Sequence, residues 1–261
     1  MPYILNEWLN LAVRWFHVFA GIMWIGQTYF FTWLDHTLNR EGNVWMVHSG
    51  GFYVVDKQTT PQMLPKTLHW FKWEAMLTWL SGIFLFTFIY YHGKIMAAEG
   101  SKLTNIQAVG ISIAILVVGW LIYDLLWISP LAKHEVACAI VSYVLLVAAI
   151  YGFTRIFAGR AAYMQTGALL GTLMAWNVWA RILPAQRQLI AAVKDGRAPD
   201  MRLAEIAKKR SKQNTFMVVP VVFIMISNHF PVATYGNPHN WLILAALVIA
   251  GWIAAAIIRT R

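Results

Sequence analysis

Polar residues are sparse along this chain and fall in clumps, leaving charge-free runs at positions 15–34, 75–93, 103–123, 136–154, 161–180 and from Gln213 to Ile258. About 20 apolar residues of α-helix cross the hydrocarbon core of a bilayer, so each of the first five runs predicts one spanning helix. The last run is too long for one. Within it, Pro231-Val-Ala-Thr-Tyr-Gly-Asn-Pro-His-Asn240 carries two prolines, a glycine and two asparagines, which end helices and build turns, so it divides the run in two. Seven spans are predicted, at roughly 8–34, 70–92, 105–128, 134–156, 161–181, 213–230 and 240–258. The runs are continuous and lack the apolar/polar alternation of a membrane β-barrel. The predicted fold is all-α, a polytopic membrane helical bundle forming a single integral membrane domain over 1–261. The first span is too long for a signal-peptide core and no basic segment precedes it, so it is expected to be retained.

Composition agrees with the pattern. Of 261 residues, 59% are hydrophobic and 12% charged, and a mean hydropathy of +0.55 leaves too little polar surface for a water-soluble globule. The single cysteine, Cys138, excludes an internal disulfide and every Cys-x-x-Cys metal or c-type haem motif. The net charge of +10 would suggest nucleic acid for a soluble protein. In a membrane protein it is an orientation signal, and no nucleic-acid partner is expected.

With the N-terminus outside, Arg14, Lys94, Lys102, Arg155 and Arg160 fall outside and the other 16 of the 21 Lys and Arg fall inside. The positive-inside rule therefore predicts an N-out, C-in chain, here in a bacterial inner membrane. Nine of those 16 lie between Arg181 and Lys212. That stretch, 182–212, is predicted as a basic cytoplasmic connection with a surface helix, suited to anionic headgroups or to drawing in an anionic substrate. A second cytoplasmic connection, about 35–69, contains Gly50-Gly51 between aromatic neighbours.

Polar groups at membrane depth are costly and mark chemistry. His17 lies near the midplane of the first span and His229 near the outer end of the sixth, in the same membrane half. His69 and His134 open the second and fourth spans at the cytoplasmic end and share the other half. Paired histidines on facing helices hold a b-type haem without cysteine, which makes these four the candidate iron ligands. A porphyrin needs small residues near its ligand. His17 has Gly21 four residues on and then Gly26, expected on nearly the same side; His134 has Cys138 and Ser142; His69 has Trp73, which would crowd a ring.

A second polar set gathers at the cytoplasmic end: Lys72 and Glu74 on the second span, Asp124 on the third, Asn177 and Arg181 on the fifth and Asn214 on the sixth. Snorkelling and ion pairing account for such residues singly. Their convergence from several spans is the pattern of a substrate cavity open to the cytoplasm. Phosphate-loop, zinc-helix, serine-nucleophile and dinucleotide motifs do not occur.

Six segments carry a resemblance: His17-Val-Phe-Ala-Gly-Ile-Met-Trp-Ile-Gly26, Gly50-Gly-Phe-Tyr53, Leu68-His-Trp-Phe-Lys-Trp-Glu74, Pro184-Ala-Gln-Arg187, Lys209-Arg-Ser-Lys-Gln-Asn214 and Ile226-Ser-Asn-His-Phe-Pro231. In order and over nearly the whole chain, they resemble the membrane domain of the bacterial cytochrome-c-type urate oxidase (urate hydroxylase) family. The first span is similar, more loosely, to membrane protoporphyrinogen oxidases and copper-resistance D-type proteins, in which a His followed by Trp-x-Gly is associated with haem. The resemblance implies oxidation of urate to 5-hydroxyisourate with electrons leaving through cytochrome c. Family members usually add one more span and a periplasmic cytochrome c domain, whereas this sequence ends at Arg261, so the expectation is either a separate cytochrome c as partner or a different substrate. An N-out chain with one more helix would place that domain outside, in agreement with the charge count.

For a planar urate monoanion the site needs a cation, hydrogen-bonding amides, an aromatic face and a base. The cytoplasmic half offers Lys72, Arg181 or Arg187 for charge, Asn177 and Asn214 for hydrogen bonds, Trp70, Trp73 and Phe52 for stacking, and Glu74 as the base. Lys72 and Glu74 are thus the candidate catalytic pair. A reading from another class stays open: a non-catalytic haem-b electron-relay subunit or a membrane transporter. The oligomeric state is left open too.

Overall fold

The computed structural model describes residues 3–59, 61 and 63–260. Among them are eight α-helices: α1 (Tyr3–Glu41), α2 (Trp73–Phe86), α3 (Asn105–Ile128), α4 (Glu135–Ile156), α5 (Gly159–Trp176), α6 (Leu183–Lys194), α7 (Met201–Ser227) and α8 (Asn240–Arg259). A π-helical segment, Asn177–Ile182, joins α5 to α6 without a break, so the chain forms seven rods, and a second π segment, Thr87–His92, extends α2. The fold is all-α. Five rods, α1, α2 with its π extension, α3, α4 and α8, are long and apolar enough to cross a membrane.

The other two rods form the middle of the bundle. Twelve of the 18 residues of α5 are buried, among them Gln165 and Thr166, and their polar atoms are satisfied inside: Gln165 bonds Ser112 of α3 at 2.5 Å and Thr166 bonds the Ala162 carbonyl at 3.0 Å. A helix enclosed by protein tolerates such side chains, which lower its hydropathy without exposing them to lipid. Helix α7 runs antiparallel to α5, with Asn228 beyond its end accepting from Arg160 Nε at 2.9 Å. It is tied to α1 by Tyr29 Oη donating to the Thr215 carbonyl at 3.1 Å and to α8 by Arg259 on Thr215 Oγ1 at 2.8 Å. Pro220 interrupts α7 on the side that meets Gly251 of α8, where a Cβ would come within 2.8 Å of the proline ring.

The helix expected within 182–212 is present in the first turns of α7, and both connections hold more regular structure than expected. Stretch 182–212 is mostly helix, because α6 continues α5 and α7 starts at Met201, leaving only residues 195–200 between them. Asp200 caps α7 by accepting from the Arg202 amide at 3.0 Å, and the Arg202 guanidinium holds its carboxyl below the usual carboxylate range. In the 35–69 connection, α1 runs on to Glu41 and a hairpin follows, β1 (Asn43–His48) and β2 (Gly51–Asp56). Ser49 and Gly50 both have positive φ, the two-residue turn whose twist matches paired strands. Val44 folds the hairpin back onto Leu34 and Leu38 of α1.

Candidate functional site

The polar residues expected at one end of the bundle meet at the π segment 177–182. A π turn inserts one extra residue per turn and re-aims side chains, and such turns recur at functional sites. Both Asn177 and Arg181 lie on it. Asp124 of α3 is the anchor: Arg181 grips it with two hydrogen bonds, one from Nε to Oδ1 at 2.9 Å and one from Nη2 to Oδ2, and Arg210 of α7 donates to Oδ1 as well, at 2.6 Å. The Arg210 side chain is only 3% exposed and that of Arg181 is 35% exposed. One carboxylate against two guanidinium groups leaves a net charge of +1 at a largely buried point. A buried excess charge is expensive and favours an anionic partner.

The amides hold this arrangement in place. Arg210 Nη1 donates to Asn177 Oδ1 at 3.3 Å; Asn177 Nδ2 donates to Tyr123 Oη and to Asn214 Oδ1, both at 2.9 Å; Asn214 Nδ2 donates to the Met174 carbonyl at 3.1 Å. With both amide hydrogens used inside the protein, Asn177 positions Arg210 and Tyr123.

Glu74 lies in the first turn of α2, and its neighbour Ala75 packs with Val178 and Leu183 among Trp24, Trp70 and Trp179. Among the described residues, two buried polar atoms in this region have no partner: Glu74 Oε2, an acceptor, and Trp179 Nε1, a donor. Buried atoms of this kind are uncommon and call for an explanation. Lys72 lies 5.4 Å from the Trp73 ring centre and 5.6 Å from that of Trp70, and Trp73 meets Trp179 edge-on at 5.9 Å. Two expected members are not brought in. Arg187 is exposed on α6, and Phe52 is 79% exposed on the hairpin.

His17 faces α2. Its Nδ1 lies 3.0 Å from the Thr78 carbonyl and 2.9 Å from Ser81 Oγ. A carbonyl only accepts, and the Ser81 hydroxyl spends its hydrogen on the Leu77 carbonyl at 2.6 Å, so Nδ1 carries the proton and Nε2 keeps its lone pair. Metal-binding imidazoles are oriented in this way. The ring rests on Gly82, where a Cβ would stand 2.9 Å from Cε1. These features fit His17 as a residue that would hold a haem iron. Gly21 shares the α2-facing side, close to Thr78. Gly26 does not: nine residues at 100° put it half a turn away, in a hollow with Ile22, Met23, Phe30, Phe31 and Phe71.

The other histidines are placed less favourably for a ring. His229 is exposed in the turn after α7. His69 lies in irregular chain before α2, exposed and edge-on to Phe71 at 4.7 Å, and His134 is exposed at the N-cap of α4. The small residues after His134 serve packing against α3, with Cys138 on the Leu126 carbonyl and Ser142 accepting from Trp127. Among the described residues there is no cluster of three or more His, Cys, Asp or Glu able to hold a metal ion.

Arg210, Tyr123, Trp179 and Gln213 escaped the sequence reading. Arg210 is embedded in Lys208-Lys-Arg-Ser-Lys212, which reads as a surface; the available signal was helical spacing, since Arg210, Asn214, Met217 and Val218 share the buried face of α7.

No curated protein and no solved structure matches this chain. The family model described as Urate oxidase N-terminal matches residues 3–261, the length that carries the bundle, the Asp124 cluster and His17, and the chain belongs to that family.

Proposed function

We propose that the protein is a membrane oxidoreductase converting urate to 5-hydroxyisourate at the Asp124 end of the bundle, that this end faces the cytoplasm of a bacterial inner membrane, and that electrons leave through a b-type haem on His17 to a separate cytochrome c. The observation that carries the reading is the net +1 of Asp124, Arg181 and Arg210 on one side of the π segment, with Glu74 Oε2 and Trp179 Nε1 buried and unpartnered among the described residues on its α2-facing side, in a chain of the Urate oxidase N-terminal family.

Urate is a planar monoanion that offers both ring N–H donors and carbonyl acceptors. Arg181, the more exposed guanidinium, takes the charge. Trp179 Nε1 meets a urate carbonyl, Glu74 meets a ring N–H, and Trp73 supplies an aromatic face with Lys72 beside it. As electrons leave, Glu74 accepts the proton from nitrogen or from the attacking water. Asn177 and Asn214 keep Arg210 fixed against Asp124, so the charge stays directed at the ligand. His17 would hold a b-type haem, with His229 the candidate second ligand and His69 with His134 the alternative pair, and such a group would supply one-electron chemistry.

The test is urate-dependent reduction of added cytochrome c by the purified protein, with urate loss and peroxide followed together. Cytochrome c reduced with no peroxide supports the reading. Peroxide formed one-for-one with urate lost overturns the cytochrome-linked route; haem present but inert to urate favours a relay subunit, and no haem with urate uptake into vesicles favours a transporter.

A further inference from the structure

Beside the polar cluster lies an apolar cavity of about 440 Å³, enclosed by α3, α4, α5, α7 and α8, within the range of about 300–1,000 Å³ typical of small-molecule sites. Its shaft is hydrocarbon and aromatic, with Leu145, Leu146, Leu169, Leu173 and Trp252 among its walls, and one end is polar, with Tyr123, Gln213, Glu135, Lys209 and Lys212. Three wall residues, Ile122, Val136 and Leu145, are themselves exposed on the helix surface. The cavity is therefore reached from the side that meets acyl chains.

The chemistry of the polar end follows from one obligate donor. Arg210 has no acceptor atoms, so the atom of Asn177 it touches is the carbonyl oxygen and Nδ2 is the atom that reaches Tyr123 Oη. Having accepted from Asn177, the Tyr123 hydroxyl spends its single hydrogen on Gln213 Oε1. That leaves Gln213 Nε2, in the cavity wall, a buried donor without an acceptor among the described residues. The two lysines are engaged with Glu135, at 3.4 Å from Lys209 and 2.9 Å from Lys212, and Lys209 also donates to the Ala132 carbonyl at 3.0 Å. A phosphate headgroup would have to compete for them. A neutral carbonyl needs only the free amide.

We propose that this cavity binds an isoprenoid quinone from the bilayer, its ring against Tyr123 and Trp127, a ring carbonyl accepting from Gln213 Nε2, and its tail along the leucine shaft toward lipid. The electron source rests on the urate reading above; binding does not. Urate and one water give up two electrons and two protons as the water oxygen adds to the purine, and the quinone takes both pairs, each carbonyl becoming a hydroxyl. The chain Arg210, Asn177, Tyr123, Gln213 runs from the candidate substrate site to the quinone head. The membrane quinone pool is then an electron exit additional to cytochrome c.

The experiment uses the full chain in lipid nanodiscs and decylubiquinone as probe, with binding and urate-driven quinol formation measured separately. Saturable binding is expected, weakened roughly tenfold by Gln213→Leu, the loss appropriate to one buried hydrogen bond. Ala149→Phe, which fills the cavity wall without touching the polar cluster, should abolish binding and quinol formation while urate-dependent cytochrome c reduction persists. Binding unaffected by both variants, or displaced equally well by phosphatidylglycerol, overturns the proposal, as does cytochrome c reduction with no quinol formed. Quinone bound as expected with urate reducing neither acceptor sinks the urate reading and leaves the binding site standing.

Discussion

Asn177 donates to Asn214 at 2.9 Å across the interface of the π segment and α7, two residues 37 apart in sequence joined in a buried hydrogen bond. Each amide is also held from elsewhere, Asn177 by Arg210 and Asn214 by the Met174 carbonyl, so the pair fixes the register between the two central rods. Asn214→Leu removes an acceptor from Asn177 and strands a donor. The expected result is a loss of about 1–3 kcal/mol of stability, read as a lower unfolding midpoint in detergent, with urate-dependent turnover falling further than haem content. Turnover and haem content falling together would show a purely structural role.

Asp124 is the costlier residue to remove. It is held by Arg181 and Arg210 at once, and stripping the partner from a buried ion typically costs about 3–5 kcal/mol. Asp124→Leu should destabilise by that order. Adding Arg210→Met to the same chain removes one of the stranded cations and should recover part of the loss. A double variant worse than the single would mean that Arg210 is stabilised by the Asn177 amide and the Tyr123 ring, 5.1 Å away, more than by Asp124.

The membrane rods were legible because uncharged length is a direct signature of crossing hydrocarbon. All seven predicted spans correspond to rods, with α3 at its predicted bounds of 105–128. Charge misled at α6 and the start of α7: Arg187, Lys194 and Arg202 mark the exposed sides of these helices, and the residues around them are helix. The hairpin was hidden because Val44, Met46 and Val55 make too short an alternation to outweigh loop-like surroundings. At the site, Asn177 and Asn214 were visible as amides within uncharged runs and Glu74 and Arg181 as charges bordering such runs, whereas Arg210 sat in a basic cluster that sequence cannot divide into buried and exposed members. Tyr123 and Trp179 carry ordinary membrane residue types, and only their partners single them out.

Orientation is tested at the α6–α7 connection. Pro199 lies in the short segment 195–200, and the native cysteine, Cys138, is buried. In a Cys138→Ala background, Pro199→Cys should react with an impermeant maleimide only when the cytoplasmic side is opened. Labelling from the periplasmic side of intact cells would invert the chain and carry the candidate urate site to the other face.

Haem is tested at His17. His17→Ala should abolish or markedly shift the reduced-minus-oxidised absorbance, because the ring is the group whose free Nε2 is set by the Thr78 carbonyl and Ser81. Ser81→Ala keeps the carbonyl bond and removes one acceptor, so haem should remain bound with a shifted midpoint potential. Gly82→Val puts branched carbon where a single Cβ would already stand 2.9 Å from the imidazole, and should lower haem content without altering any candidate ligand. An unchanged spectrum in His17→Ala would remove this residue from the iron.

The last prediction separates proton transfer from electron transfer. Glu74, in the first turn of α2, has one carboxylate oxygen buried and unpartnered among the described residues, near Trp179 with its own unpartnered nitrogen, while His17 is held farther along the same helix at Thr78 and Ser81. From Glu74 to Ser81 is seven residues, about 10 Å of helix rise, so chemistry at Glu74 and ligation at His17 can be altered independently. Glu74→Gln keeps shape and hydrogen-bonding capacity but cannot accept a proton. It should leave haem content unchanged and reduce urate turnover by about 10²–10⁴-fold, the usual contribution of a general base. Trp179→Phe keeps the edge-on packing with Trp73 and removes only the indole N–H, so it should raise KM for urate with a smaller change in kcat. If Glu74→Gln retained full turnover, the proton would leave by another group. If it lost haem in proportion to activity, Glu74 would be a support of the α1–α2 interface and not the base.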